Sequence, residues 1–237
     1  MRAGWSIMGK RVMTTTVESW RRRLLLPAYS ISEAARYAKA HPSTVSSWFT
    51  RGGSLGPALQ GREVRTPLSY LQLVEVAFAA TARRLGLSLR EIRLTRNYLR
   101  QVFHEEFPFA TRRFMTEGKR MLLELQQVEP SAKLDLLVIG SLEGQLAWAP
   151  LMDARFIEFE YADDIAVVWH VGGPESPVRI DPRVSFGAPT VNGIPTWAVR
   201  GRFEAGEDIE DIEDDFDLEP EAIVAALAFE GIIVKAA

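Results

Sequence analysis

The 237-residue sequence contains no cysteine and has no long apolar run. Without thiols it has no disulfide, no thiolate metal ligand and no cysteine nucleophile, and this composition suits a reducing compartment. The apolar run at residues 24–26 follows three arginines and ends at Pro27. It is too short for a signal-peptide core or a membrane span. We therefore expect a cytoplasmic protein that makes no membrane contact.

Residues and motifs typical of catalytic sites are also few. The only histidines, His41, His104 and His170, fall in separate predicted elements, and none has a second metal ligand at helical or hairpin spacing. The sequence has no phosphate-binding glycine loop with its lysine and no dinucleotide fingerprint after a predicted strand. We predict no enzymatic activity, no metal and no cofactor.

Charge is distributed very unevenly along the chain. Residues 1–120 carry 21 Lys and Arg against 8 Asp and Glu, whereas residues 121–237 carry 7 against 23, and the net charge of -3 conceals the difference. The first half can therefore bind a polyanion, which the second half would repel.

The pattern of residues predicts an α+β protein. We expect a flexible arm at residues 1–28, a winged helix-turn-helix domain at 29–130, a small β-rich region at 131–177 and a helical domain at 178–237. The β-rich region should form a small antiparallel sheet, and the C-terminal domain should be a three-helix unit that resembles a helix-turn-helix.

A helix-turn-helix is predicted from Tyr29 onward. Ser32 is the expected cap of a first helix, which turns at Ala40 and His41, and Pro42 opens a second helix. Their inward residues are predicted to be Ala34, Ala35, Ala38, Val45, Trp48 and Phe49.

Further elements follow from periodicity and capping signals. Two helices are expected from Pro67 to Gly86 and from Ser88, with its capping-box partner Glu91, to about Phe103. Other predicted helices span residues 111–127, 196–205, 208 onward and 220–230. Predicted strands span residues 134–139, 146–148, 155–161, 165–171 and 178–181.

The second helix of the motif would enter a DNA major groove. Its hydroxyl side chains, expected to contact bases or phosphates, are Ser43, Thr44, Ser46 and Ser47. The cations expected to contact flanking phosphates are Arg36, Lys39, Arg51, Arg62 and Arg65. One such helix reads a short half-site, so we also expect a homodimer, in which the apolar helix from Leu68 to Leu85 could take part.

The C-terminal segment is densely acidic around a thin apolar stripe. Two interpretations remain open: a solvated acidic domain with its own small core, or a docking surface for a partner. The stripe residues proposed for docking are Ile209, Ile212 and Phe216.

Residues 178–230 resemble the short domain of unknown function found in VapB-type antitoxins. The shared motifs are Ile180-Asp181-Pro182, Gly187-Ala188-Pro189, Val191 to Pro195, Ala205-Gly206-Glu207 and Ala225-Ala226-Leu227. One departure is that only Ile194 stands between Gly193 and Pro195, where the family usually has a basic residue. The segment from Ser30 to Phe103 similarly resembles MerR-like winged helix-turn-helix domains, without their effector- or metal-binding residues.

Together these resemblances imply a long VapB-type antitoxin whose partner is a PIN-domain ribonuclease toxin. They imply that the chain neutralises the toxin by direct binding and represses the shared operon by binding operator DNA. Because PIN toxins use acidic metal sites, an arginine of the antitoxin could block one. The candidates in the second half are Arg155, Arg179, Arg183, Arg200 and Arg202, and the sequence does not choose among them; Arg200 and Arg202 are taken as partner-binding residues.

Two rival functions are compatible with the same sequence. The first is a MerR-like transcriptional regulator that holds a small ligand in the β-rich region, near Trp148, Phe159 and Trp169. The second is an enzyme that uses carboxylates, for which the candidates are Asp153, Glu158 and Asp164.

Overall fold

A computed structural model of the chain describes residues 20–51, 56–60, 62–63, 65–112, 114 and 158–234. The predicted strands at 134–139 and 146–148, and most of the predicted arm and of the helix at 111–127, lie outside these residues. The predicted α+β class is confirmed, since helices flank an antiparallel sheet on both sides in the chain order. Within the described ranges, no helix is long and apolar enough to cross a membrane.

The helical region contains the predicted helix-turn-helix. Residues 20–25 are helical, and the motif consists of α1 (Ile31–Tyr37) and α2 (Pro42–Thr50). Ser30 caps α1, not Ser32 as predicted, because its hydroxyl accepts from the Glu33 amide while the Glu33 carboxylate accepts from the Ser30 amide. Pro42 occupies the first turn of α2, as predicted.

Two longer helices follow in this region: α3 (Tyr70–Arg84) and α4 (Leu89–Phe103). Both begin with capping boxes, and the predicted pair Ser88 and Glu91 opens α4. The connection from α2 to α3, predicted as a wing or an extended segment, contains no strand in its described parts, 56–60, 62–63 and 65–69. Leu68 instead pairs with Tyr29 in an antiparallel bridge that joins the starts of α3 and α1.

α3 forms the centre of the protein. Every residue from Tyr70 to Ala80 is buried, including the carboxylate of Glu75. Glu75 pairs with the buried Arg96 of α4 and accepts a hydrogen bond from the Phe109 amide at 3.0 Å. Burial raises the pKa of Glu75, although Arg96 and the Phe109 amide oppose this rise. The apolar length of α3, which suggested a dimer contact, is thus occupied by the chain's own core.

The described part of the chain forms a sheet of five antiparallel strands in sequential order. They are β1 (Phe159–Ala162), β2 (Ile165–Trp169), β3 (Arg179–Ile180), β4 (Pro189–Val191) and β5 (Ile194–Pro195). The turn of the first hairpin, Asp163-Asp164, has positive φ angles at both residues. The β4–β5 hairpin was not predicted. The pairing of β2 with β3 carries the sheet across residue 177, where we expected a domain boundary.

Three helices follow the sheet: α5 (Thr196–Glu204), α6 (Ile209–Phe216) and α7 (Pro220–Phe229). Their positions agree with the predicted ones within a few residues. Asp208 caps α6 by accepting a hydrogen bond from the Asp211 amide at 2.9 Å, and Pro220 opens α7. α5, α6 and α7 contact one another, and α5 and α7 also pack on β4.

The helical and C-terminal regions share one hydrophobic core, which extends from Leu24 to Leu227. Arg36 on α1 donates a hydrogen bond to Glu230 at 2.9 Å, and the rings of Tyr37 and Phe229 lie 5.9 Å apart. At another point of the same joint the backbone passes very close to Tyr29. A Cβ added to Gly187 would lie 2.2 Å from the Tyr29 hydroxyl, so only glycine fits there.

Candidate nucleic-acid interface and partner surface

The second helix of the motif has one buried and one exposed side. Val45 and Trp48 are buried, as predicted, and Phe49 is half-buried. Ser43 and Thr44 are exposed, while Ser46 and Ser47 are half-buried. The four predicted base-contacting side chains therefore all reach the surface of α2.

The hydroxyls on α2 differ in their hydrogen bonds. Ser47 donates to the Thr44 carbonyl at 2.7 Å, and Ser43 lies 2.8 Å from Nδ1 of His41. The hydroxyls of Thr44 and Ser46 form no hydrogen bond with the described residues. These two side chains are thus the ones most readily available to a base edge.

The predicted phosphate-binding cations do not form one continuous row. Lys39 and Arg51 are exposed at the ends of α1 and α2, and Arg65 is exposed in the following connection. Arg62 is half-buried and donates to the Thr66 carbonyl at 3.2 Å. Lys39 and Thr44 line one surface pocket, together with Arg83 and Arg84 of α3, which we did not predict. The adjacent arginines in the last turn of a helix were the available signal.

Arg36 lies in the joint between the two regions. Its guanidinium pairs with Glu230 and lies over the rings of Tyr37 and Phe229, 5.0 and 5.3 Å from their centroids. Partial burial, the largest single effect, lowers the pKa of Arg36, but the hydrogen bonds and charges of Glu230 and Tyr37 together outweigh it, so the pKa rises overall. In this structure Arg36 connects α1 to the C-terminal region.

The acidic helix α6 directs its apolar stripe toward the chain's own core. Ile212 is fully buried, and Ile209 and Phe216 are half-buried against the same core. In the structure this stripe therefore packs on the chain's own core, as in the interpretation of an acidic domain with its own small core. The neighbouring carboxylates Glu210, Asp211, Asp214 and Asp215 are exposed.

Both arginines predicted to bind a partner form ion pairs within the chain. Arg200 pairs with Glu204 one turn along α5, at 2.9 Å. Arg202 pairs with Glu207 and Asp215 and lies 5.3 Å from the centre of the Phe216 ring. The hydrogen bonds that Arg202 donates to Asp215 and Glu207 raise its pKa. Arg200 remains exposed, while Arg202 holds α5 and α6 together.

Two aromatic side chains that we did not single out are strongly exposed. Phe186 is 97% exposed and Trp197, on α5, is 63% exposed, and both line a pocket of about 320 Å³. Phe186 has a left-handed backbone (φ 55°), which is rare for a bulky side chain and costs free energy. One turn beyond Trp197, the exposed Gly201 has no atom within 4 Å of an added Cβ. This surface, defined by Phe186, Trp197 and Gly201, is called the aromatic surface below.

The residues of the rival functions are placed differently. Phe159 and Trp169 stack on each other at 5.6 Å and are buried, so they fill the core; Trp148 lies outside the described residues. Glu158 accepts a hydrogen bond from the Trp169 indole, Asp164 lies in the β1–β2 turn and Asp153 is not described. The described ranges contain no group of three or more His, Cys, Asp or Glu that could hold a metal ion.

Comparisons with known proteins agree with the resemblance inferred from the sequence. The chain is 24% identical to a Mycobacterium tuberculosis protein named "Putative antitoxin VapB45", over 86% of this chain and 94% of that protein. Its fold is similar to that in the crystal structure of Rv2018 from Mycobacterium tuberculosis. The TM-score is 0.66 at 19% identity, and the match covers 85% of this chain and 97% of the other. Residues 178–229 match the model of the family described as "Protein of unknown function (DUF433)", so the predicted short domain is present.

Proposed function

We propose that this chain is the antitoxin of a type II toxin–antitoxin pair. It neutralises a PIN-domain ribonuclease toxin by direct binding, and it represses its own operon as a homodimer on operator DNA. It acts in the cytoplasm and has no catalytic activity of its own. The observation that carries the proposal is the similarity to the relative named as an antitoxin, which extends over nearly the full length of both proteins.

DNA binding is supported by the helix-turn-helix. α2 offers the hydroxyls of Thr44 and Ser46 for hydrogen bonds to bases, and the exposed cations Lys39 and Arg51 lie at the ends of the motif. The acidic face of α6 would repel the same phosphates. DNA is therefore bound through the helical region, and the C-terminal region is left for the toxin.

The aromatic surface is the proposed docking site for the toxin. The stripe of α6 is occupied by the chain's own core, whereas Phe186 and Trp197 expose large apolar rings. Exposed aromatic residues are frequent anchors of protein interfaces. Gly201 leaves the adjacent face of α5 flat, which allows a partner helix to approach closely. Because α6 follows α5 and exposes carboxylates, the matching toxin surface is apolar with basic residues at its edge.

The proposal is tested by co-expressing the chain with the PIN-domain protein encoded beside its gene. We expect the wild type to restore growth and to co-purify with that protein. Trp197→Ala should weaken the complex at least tenfold in titration calorimetry, whereas the matched control Leu85→Ala, an exposed apolar residue of the helical region, should not. Point variants are preferable to deletion of α6 and α7, because those helices contribute Ile212 and Leu227 to the core.

Two results would contradict the proposal in different ways. If the wild type neither restores growth nor binds the neighbouring ribonuclease, the antitoxin function is wrong. If it does both and Trp197→Ala behaves as Leu85→Ala does, the function stands and the docking site is wrong.

A further inference from the structure

A surface pocket of about 220 Å³ lies where α1, α2 and α3 meet. Among the described residues that line it, all the ionisable side chains are basic and none is a carboxylate, in a chain whose net charge is -3. The lining residues are Lys39, Ala40, His41, Thr44, Trp48, Ala80, Arg83 and Arg84.

No described carboxylate forms an ion pair with the positive charges of this pocket. Arg84 donates to the Ala38 carbonyl at 2.8 Å and to the Thr81 hydroxyl at 2.7 Å, and Arg83 donates to the Leu87 carbonyl. These acceptors are uncharged, so they orient the guanidinium groups without cancelling their charge. Lys39 is exposed and, within the described part of the chain, forms no ion pair.

The start of α2 adds two further features. The helix has nine residues and its positive end lies at this pocket, where Thr44 belongs to the first turn. Trp48 is almost fully buried and lines the pocket, yet its indole N–H has no acceptor among the described residues. Buried donors without an acceptor are rare, and a ligand bound beside them is one explanation.

An ordinary structural role explains part of this arrangement. Arginines in the last turn of α3 compensate the negative end of its dipole. That role explains Arg83 and Arg84, but not Lys39 on another element, the lack of carboxylates or the unpaired indole. A ligand with negative charge and several acceptor oxygens accounts for all four observations.

We propose that this pocket binds a phosphate group of the DNA backbone. The inference rests on the DNA binding proposed above. It places the expected phosphate contact of Lys39 in a defined pocket and adds Arg83 and Arg84 to it. Because phosphate contacts fix how a protein is oriented on the duplex, a phosphate held here would set the position of α2 over the groove.

The experiment uses the full-length protein and a fluorescent DNA duplex of random sequence, with anisotropy measured at several salt concentrations. Lys39→Gln and Arg83→Gln should each lower the slope of log K against log salt by about 0.9 and weaken binding roughly 5- to 10-fold at 0.1 M salt. The matched control is Arg179→Gln on β3, which removes the same charge at an exposed site away from the pocket. Circular dichroism checks the fold of each variant, and the exposed Lys39 keeps the test usable if Arg83→Gln is unstable.

Each outcome decides the proposal. A smaller slope of log K against log salt in folded Lys39→Gln and Arg83→Gln, but not in Arg179→Gln, supports the proposal. Equal losses in all three variants, or a wild-type slope in folded Lys39→Gln, overturn it although DNA binding itself stands. If the wild type binds no duplex, the DNA-binding part of the proposed function fails too. In that case, melting in inorganic phosphate shows whether the pocket holds a free phosphate: the wild type would be stabilised and Lys39→Gln would not.

Discussion

The helices α2 and α6 are built in the same way but present opposite chemistry. Both are short, begin at a side-chain cap and bury one apolar side, through Trp48 in α2 and Ile212 in α6. Their outer sides differ: α2 presents hydroxyls near exposed cations, and α6 presents carboxylates. Burial alone therefore does not distinguish the second helix of a helix-turn-helix from an acidic helix. The outer residues decide which partner each helix can accept.

The helical region and the C-terminal region also differ in the ion pairs that they bury. The helical region buries an ion pair, since the side chains of Arg96 and Glu75 are only 1% and 2% exposed. Among the described residues, the ion pairs within the C-terminal region all have at least one partner near the surface. We therefore expect the helical region to be far more sensitive to the loss of one charge.

The largest expected effect is that of Arg96→Met. Removing the guanidinium leaves the Glu75 carboxylate buried without its ion-pair partner, which costs about 3–5 kcal/mol of unfolding free energy. Burial holds the pKa of Glu75 above its unfolded value, so between these two pKa values the folded state binds a proton that the unfolded state has released. The variant therefore becomes less stable as the pH rises from the unfolded pKa to the folded pKa. Urea unfolding at pH 5.5 and pH 8 measures both effects.

The control for this prediction is the double variant Glu75→Leu with Arg96→Met. It removes both charges and should recover much of the lost stability. If the double variant is no more stable than Arg96→Met, lost packing rather than an unpaired charge is the cause.

The next effect is expected at the joint between the regions, in Gly187→Ala. The positive φ of 81° disfavours any L side chain, and the new Cβ would overlap the Tyr29 hydroxyl, so we expect a loss of about 2–3 kcal/mol. In a Tyr29→Phe background the overlap is reduced while the backbone cost stays. Thermal unfolding of the four proteins in this cycle separates the two causes. An equal cost in both backgrounds would show that contact with the hydroxyl does not matter.

The smallest expected effect is the difference between two ion pairs, one at the joint between the regions and one on α5. Glu230 is 6% exposed and binds both Arg36 and the Thr196 hydroxyl, whereas the Arg200–Glu204 pair is about half exposed at both ends. Because solvent screens exposed pairs, Glu230→Gln should cost about 1 kcal/mol and Glu204→Gln less than about 0.5 kcal/mol. Chemical denaturation can resolve the difference. Similar costs would mean that the Arg36–Glu230 pair stabilises the joint no more than an exposed pair does.

Local signals in the sequence were sufficient to predict several elements. Pro42 and the pair Ser88 and Glu91 mark helix starts within one turn, and the structure has helices there. The cap of α1 was misplaced because Ser32 was preferred to Ser30, although only Ser30 has an acidic residue three positions later. The β4–β5 hairpin had a signal too, since Asn192-Gly193 is a favoured two-residue turn between apolar residues.

Long-range contacts could not be predicted in this way. The sequence shows that α6 has an apolar stripe, but not whether the chain itself or a partner covers it. Likewise, nothing near Arg36 indicates that Glu230, 194 positions later, will bind it. The basic pocket was missed for the same reason, because Lys39 and Arg83 meet only after α1 and α3 have packed.

The sequential order of the sheet has a consequence for folding during synthesis. Each strand pairs with the next one along the chain, so the sheet can form as fast local hairpins while translation continues. The contact between Tyr37 and Phe229, by contrast, joins residues that leave the ribosome far apart in time. Until Phe229 has been made, the first helix of the helix-turn-helix lacks this contact. A chain released early would therefore expose the ring of Tyr37 and leave Arg36 unpaired, which makes it a substrate for chaperones and proteases.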